Sequence, residues 1–292
     1  MSTFTQENAL AEESVGFMDR LRELRLPWIP VIVITVLVIL AAFAPLLSPH
    51  DPRDQNLRDA RTPPFQTWDY PLGTDFVGKD ILSRLIYGAR TSAFISMFAL
   101  GAGVVVGTVL GLISGYAGRW VDTIIMRIAD ATMGFPSILL AMIIVAILGT
   151  GLMPIVVAVA VSTWPRIARM IRGEVLSVKD ADFVILARIA GVSPAVIIWR
   201  HVFPNVLNTL MVITSLSVAG VILTEASLSF LGLGLPPGDP AWGIMVSEGR
   251  QSLLRMWWIS LFPGVVITVV VMAFNFFGDW LRDTLDPKLR RV

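Results

Sequence analysis

The sequence contains no cysteine and only two histidines, and those shortages exclude a good deal of chemistry. Without thiols there is no disulfide framework, no thiolate-held zinc or iron–sulfur centre and no cysteine nucleophile. His50 and His201 stand 151 positions apart with no ligand spacing around either, so no metal site is expected. Charge is equally scarce: 15% of the 292 residues are Asp, Glu, Lys or Arg, where a soluble domain carries about 25%. A net charge of +1 provides no basic surplus for nucleic acid. What fills the chain is apolar, with 55% hydrophobic residues and a mean hydropathy of +0.73. A water-soluble core of this size cannot absorb that excess, and the chain reads as an integral membrane protein.

About 20 apolar residues cross the hydrocarbon as a helix, and charge within such a run is costly. Five charge-free stretches qualify: Leu26 to His50, Thr91 to Gly118, Ala131 to Pro165, His201 to Thr224, and Met256 to Gly278. The third would be roughly 52 Å of straight helix, far longer than the roughly 30 Å core, so it must turn. Gly149-Thr150-Gly151 followed by Pro154 supplies the turn. The reading is all-α and polytopic, with six transmembrane helices near 28–47, 92–116, 126–148, 153–171, 206–231 and 257–280. An even count puts both termini on one side. With cytosolic termini, 15 Lys and Arg lie inside and 8 outside, the expected bias. The first span reads as an anchor and not a cleaved leader, because its apolar run is long and begins some 26 residues in. Pro136, Pro165 and Pro263 are expected to mark kinks.

Several strings invite a functional reading. Gly73-Thr-Asp-Phe-Val-Gly78-Lys79-Asp80 meets the G-x-x-x-x-G-K part of a phosphate-binding loop. It fails where the chemistry matters, since Asp80 stands where a Ser or Thr hydroxyl should reach magnesium, and a carboxylate there repels phosphate. An ordered turn is the better reading. Gly103, Gly107, Gly111 and Gly115 repeat at four-residue intervals on one helix face, the pattern that lets a second backbone approach closely. Packing within the chain and a subunit interface fit that row equally. Glu225 falls in or at the outer end of the fifth span, where it can line a pathway, reach interfacial water or bond a neighbouring helix. No Ser-His pair, paired Asp or His-Glu-x-x-His arrangement stands within the spans, so no catalytic residue is assigned.

The inner loop, 172–205, is the most informative segment. Ser177-Val-Lys-Asp180 reads as a capping box opening a helix, and Gly191 reads as its stop. Ser193-Pro194 then caps and starts a second short helix. Phe183, Leu186, Ala187 and Ala190 share the i, i+3, i+4, i+7 face of the first helix, which is too short to span a bilayer. It begins among aspartates, whereas helices lying in the lipid interface favour Lys and Arg. Docking on a cytosolic partner protein is the preferred reading.

These strings together resemble a family, the C-type permease subunit of bacterial ABC importers for dipeptides, oligopeptides and nickel. The likeness runs from about Tyr70 to Leu289. Pro71-Leu-Gly-Thr-Asp-Phe-Val-Gly-Lys-Asp-Ile-Leu-Ser-Arg-Leu-Ile-Tyr-Gly-Ala-Arg-Thr-Ser92 is similar to the family's approach to its second span. Trp120-Val-Asp-Thr-Ile-Ile-Met-Arg127 with Phe135-Pro136-Ser137 is similar to the start of the third. Glu225-Ala-Ser-Leu-Ser-Phe-Leu-Gly-Leu-Gly234 and Gly278-Asp-Trp-Leu-Arg-Asp-Thr-Leu-Asp-Pro287 resemble the fifth-span exit and the C-terminal tail. Phe183 to Gly191 with His201-Val-Phe-Pro204-Asn205 occupies the place of the family's coupling loop, with Ile185-Leu186-Ala187 where Glu-Ala-Ala is often found.

The resemblance implies a type I ABC importer permease fold. It also implies a complex with a second homologous permease subunit, two cytosolic ATP-binding subunits and an extracytoplasmic substrate-binding protein, set in membrane lipid. Phe183, Leu186, Ala187, Ala190 and Gly191 would then couple to the ATPases, and this chain would hold no cofactor and catalyse no reaction. The corresponding layout is a cytosolic tail 1–27, first span 28–47, extracytoplasmic segment 48–90, permease core 91–281 and cytosolic tail 282–292, in the bacterial inner membrane. A self-contained secondary transporter is the alternative, though it usually shows mid-span charges and an internal repeat, and neither is found. The topology can be tested in this cysteine-free chain. Ser48→Cys and Ser247→Cys should react with an impermeant maleimide in sealed cells and Ser177→Cys should not; labelling at Ser177→Cys would invert the assignment.

Overall fold

The computed structural model describes residues 26–236 and 238–285, so the expected tails lie outside the described residues except at 26–27 and 282–285. Within hydrocarbon no water satisfies a free N–H or C=O, so a crossing segment must close its own hydrogen bonds. The apolar runs do so as helices: α1 (Trp28–Ala42), α2 (Ala44–Leu47), α3 (Ile81–Ala117), α4 (Arg119–Met133), α5 (Ser137–Leu148) and α6 (Leu152–Val178). They continue as α7 (Asp182–Ile189), α8 (Pro194–Ile197), a π-helical turn (Ile198–Val202), α9 (Phe203–Phe230), α10 (Trp242–Gly249) and α11 (Trp258–Leu285). Among the described residues the only β pairing is an isolated bridge between Thr74 and Asp80.

Among the described residues four segments are long and apolar enough to cross a bilayer alone: α3, α6, the run Pro194–Phe230, and α11. The expected third span, 126–148, is not one kinked helix. α4 and α5 meet at 90°, because Pro136 is held extended (φ −54°, ψ 128°) immediately before α5. The first span is likewise broken: α1 stops after 15 residues at Phe43, whose backbone (φ −106°, ψ 18°) separates it from α2. Where six spans are expected, the described residues show four continuous ones, one bent pair and a short first helix. Pro165 and Pro263 sit buried inside α6 and α11. Gly149 (φ +90°) and Gly151 (φ +141°) make the turn between α5 and α6.

α3 begins at Ile81, well before the expected 92, because the Asp80 carboxylate accepts the orphan N–H groups of Leu82 and Ser83. Its 37 residues give a rod of about 55 Å, longer than the hydrocarbon is thick. The glycine row faces α6 of the same chain. A Cβ on Gly107 would lie 2.7 Å from the Trp164 carbonyl oxygen, and one on Gly111 would lie 2.7 Å from that of Ala168. Gly115 meets Val175 Cβ at 2.6 Å, and Gly103, the loosest of the four, meets Thr163 Cβ at 3.2 Å. Contact positions rise together along both helices, so α3 and α6 run parallel with interlocked ridges.

Two apolar clusters build on this pair. One joins the later part of α3 to α5, α6, α7 and α9; the other joins α1 and the start of α3 to α10 and α11. Gly107→Leu and Gly111→Leu should each destabilise the protein by at least about 1–3 kcal/mol, since a backbone carbonyl cannot move aside as a side chain can. Gly103→Ala should be far milder. Thermal unfolding in detergent checks the order, and equal stability of Gly107→Leu and wild type would show the face to be open.

Candidate functional site

The inner loop is arranged differently from the sequence expectation. Ser177 does not open a helix: it lies in the last turn of α6, and its hydroxyl donates to the Glu174 carbonyl at 2.7 Å. The short helix starts at Asp182, with Ala181 extended at its N-cap and no side-chain cap. Its end follows the expectation, with Gly191 at φ +77°. The Val192 N–H donates to the Ala187 carbonyl at 3.1 Å, and that of Gly191 to Arg188 at 3.1 Å, the paired bonds of a Schellman stop. Pro194 begins α8, but the expected Ser193 side-chain cap is absent.

α7 is fixed from beneath. Val184 is fully buried in the cluster that includes Ile171, Val175, Ile197 and Val202, and Ala187 packs against it. The Arg188 guanidinium stands 5.9 Å above the Tyr116 ring, a cation–π contact with the end of α3. Outward it presents Phe183, Ile185, Leu186 (65% exposed) and Ile189 (77% exposed). Of the four residues assigned to one face, Phe183, Leu186 and Ala190 are exposed and Ala187 turns inward. Ile189 and the nearby Trp199 belong to the exposed apolar surface and were not singled out by spacing. A wholly apolar run such as 183–187 does not reveal its helical phase, because every face looks alike.

Above α7, charges tie the bent segment to α6. Asp122 accepts from Arg172 Nε and Nη2, both at 2.6 Å, and from the Ser114 hydroxyl at 2.5 Å. Asp130 pairs with Arg169. Spacing alone could have suggested the clamp, since Arg169 and Arg172 lie one turn apart and Asp122 and Asp130 two turns apart.

Glu225 is completely buried between α9 and α3. It accepts from the Ser229 hydroxyl at 2.8 Å and the Ser92 hydroxyl at 3.2 Å. Ser229 is also the floor on which two glycines close, one in the loop after α9 and one in α10: a Cβ on Gly234 would lie 2.3 Å from its Oγ, and one on Gly243 would lie 2.8 Å from its Cβ.

The phosphate-loop-like string is an ordered turn. Asp75 accepts from the Val77 and Lys79 N–H groups at 2.9 Å each, and Gly78 (φ +83°) leaves no room for a side chain against Asn56. The turn feeds a charge network that sequence reasoning missed. Arg84, with its side chain fully buried, pairs with Asp75 at 2.7 Å and with Glu248 of α10 at 2.7 Å. Trp242 Nε1 donates to the Leu85 carbonyl and Trp258 Nε1 to the Thr74 carbonyl, each at 3.0 Å. Together they lock the segment before α3 to α10 and α11. Glu248 lies far from Arg84 in sequence, so no local pattern signals the pairing. Among the described residues no cluster could hold a metal ion.

A broken span, parallel close-packed helices and a short helix displayed at the end of a crossing helix define a multi-pass transport fold. The inward-facing MetNI methionine ABC transporter shares it, with a TM-score of 0.58 and 17% identity over 70% of this chain and 96% of that one. The chain belongs to the family described as the binding-protein-dependent transport system inner membrane component, whose model matches residues 107–291. Residues 16–64 match the N-terminal TM domain of oligopeptide transport permease C. Similar relatives include the dipeptide transport system permease protein DppC of Alkalihalophilus pseudofirmus, 41% identical over 93% of this chain and 88% of that one. The oligopeptide transport system permease protein OppC of Bacillus subtilis is 38% identical over 94% and 89%. The glutathione transport system permease protein GsiD of Pectobacterium atrosepticum is 40% identical over 88% and 85%. The chain is thus a multi-pass membrane permease subunit of an ABC importer and not itself an enzyme, which sets aside the self-contained secondary transporter.

Removing one member of a buried ionic network leaves the others uncompensated, at a cost of about 3–5 kcal/mol. Arg84→Met should therefore lower the thermal stability of the purified protein sharply. Adding Asp75→Asn and Glu248→Gln, which neutralise the stranded carboxylates, should restore most of it. Wild-type stability in Arg84→Met alone would show that the network does not hold the outer segment.

Proposed function

We propose that this permease forms half of the translocation pathway of an importer for di- or oligopeptides or a related small solute. In this reading it works with a second homologous permease subunit, two cytosolic ATP-binding subunits and an extracytoplasmic substrate-binding protein. Both termini and the loop 172–205 face the cytosol, and residues 48–80 and 231–257 face outward. The names of the relatives, which include dipeptide, oligopeptide and glutathione systems, support a peptide-like solute. Substrate choice resides largely in the binding protein.

The observation that carries the coupling assignment is the two-sided construction of α7. Val184, Ala187 and Arg188 fasten it to the ends of α3 and α6, while Phe183, Leu186 and Ile189 are left exposed. A helix of eight residues is only about 12 Å long, too short to cross a membrane. An exposed apolar stripe on a firmly seated helix suits a cleft in a partner protein. ATP-driven closure of the ATPases would move α7, and through it the spans, between inward-facing and outward-facing arrangements. Glu225 acts in this reading as a buried tie between α3 and α9 and not as a pathway lining.

Leu186→Asp places an unpaired charge in the proposed dry cleft, a penalty of several kcal/mol. Gly191→Val forces a β-branched residue into positive φ at the Schellman stop, where the strain is conformational, since open space surrounds the glycine. Both variants should insert in the membrane, and both should lose the stimulation of ATP hydrolysis by peptide-loaded binding protein in reconstituted vesicles. Wild-type stimulation in Leu186→Asp would refute docking through this face.

A further inference from the structure

α1 packs on the first turns of α3 and on the first half of α11 without filling the space between them. Between them lies a cleft of about 420 Å³ lined entirely by aliphatic side chains and one indole. Leu85, Ala89 and Trp242 are buried in its floor, and Val36, Val265 and Val269 form exposed rims. The indole N–H already donates to the Leu85 carbonyl, so the floor offers no free polar group.

What fills such a cleft is constrained by chemistry and size. Water needs two to four polar partners and finds none here. A neighbouring helix is held in lipid by small residues or polar groups, and the lining, bulky except at Ala89, offers no such row. An extended peptide would bring unpaired N–H and C=O groups into a site that cannot bond them. The 25 residues preceding Leu26 are also rich in charge, among them Glu12, Glu13, Asp19 and Arg20. A single unbranched hydrocarbon chain satisfies every condition, and the helices that form the cleft are embedded in a medium made of such chains.

We propose that this cleft binds one acyl chain of a membrane phospholipid, with Trp242 as its base. Entry from the bilayer gains little from the hydrophobic effect, because the chain leaves one hydrocarbon for another. The gain comes from contacts that an empty cleft forfeits, since a lining atom without a neighbour loses its dispersion partner. The site lies beside the outer ends of α3 and α11, so it takes a lipid of the outer leaflet. Trp242 opens α10, and the bound chain therefore braces the helix whose other end holds Glu248 against Arg84.

The test uses the assembled complex, purified in mild detergent, washed free of loosely held lipid and given dioleoyl phosphatidylglycerol as the probe. Native mass spectrometry counts the phospholipids retained. Wild type should keep one phospholipid that is lost when the cleft is filled from the rim by Val36→Trp or from the floor by Ala89→Leu. Val105→Trp, at an exposed position lower on α3, should retain the wild-type number. If Val36→Trp does not assemble, Val269→Trp on the opposite rim makes the same comparison. Equal retention in the filled variants, or no retained phospholipid in wild type, overturns the proposal.

Discussion

The parallel, glycine-lined contact between α3 and α6 governs the rest of the molecule. Side chains on most membrane helices keep axes 8–10 Å apart, but here backbone carbonyls of α6 lie where three of the α3 side chains would begin. Two consecutive crossings in the same direction require the chain to return between them, and α4 and α5 provide that return. The contact continues to Gly115 and Val175, so it reaches the C-terminal end of both helices. α7 begins a few residues later, and Val184 and Arg188 seat it on this paired end. The position of α7, with its exposed apolar side chains, is thus a consequence of missing side chains farther back along α3.

Most hydroxyls inside the apolar bundle are answered on their own helix, while Ser96 and Thr108 of α3 are buried with no partner. Thr163, Ser217, Thr224, Ser227 and Thr268 donate to carbonyls four residues back, which removes them as interhelical glue. Glu225 cannot be answered by its own backbone, since a carboxylate only accepts when ionised. It bonds instead to hydroxyls on its own helix and on α3. That distinction explains why Glu225 joins two helices while the hydroxyls around it mostly do not.

Much of the architecture was legible because hydrocarbon thickness and backbone hydrogen bonding leave few choices. Charge-free stretches located the four long helices, and Gly149-Thr150-Gly151 correctly signalled the reversal after α5. The glycine row announced a close contact but not its partner, because a small-residue face carries no record of which helix it meets. The break at Pro136 was read as a kink, since proline spacing does not distinguish a bend from a right-angled joint. Helix α7 was found with its start misplaced, because Ser177 satisfied a capping pattern that α6 overrides by extending to Val178. The Asp75–Arg84–Glu248 network escaped entirely. Its members are brought together by folding over a long sequence separation, and isolated charges at span ends look like interfacial residues.

The constraints are unevenly distributed, and that unevenness bears on how such a protein can move. A bistable device needs an element with two arrangements, flanked by elements that keep their shape. The α3–α6 pair is a poor candidate, because ridges that interlock through carbonyl contacts cannot slide without collision. The segment before α3 is equally fixed to α10 and α11, by buried ion pairs and two indole hydrogen bonds. The joint at Gly134-Phe135-Pro136 is bound more lightly. A Cβ at Gly134 would meet only carbonyls of its own preceding turn, and the polar ties from α4 to α6 run through Asp122–Arg172 and Asp130–Arg169. These are side-chain contacts at the inner end, which can lengthen without breaking a helix. In the proposed coupling, a displacement of α7 would therefore meet rigid rods at α3 and α6 and a lightly held right-angled joint beside them.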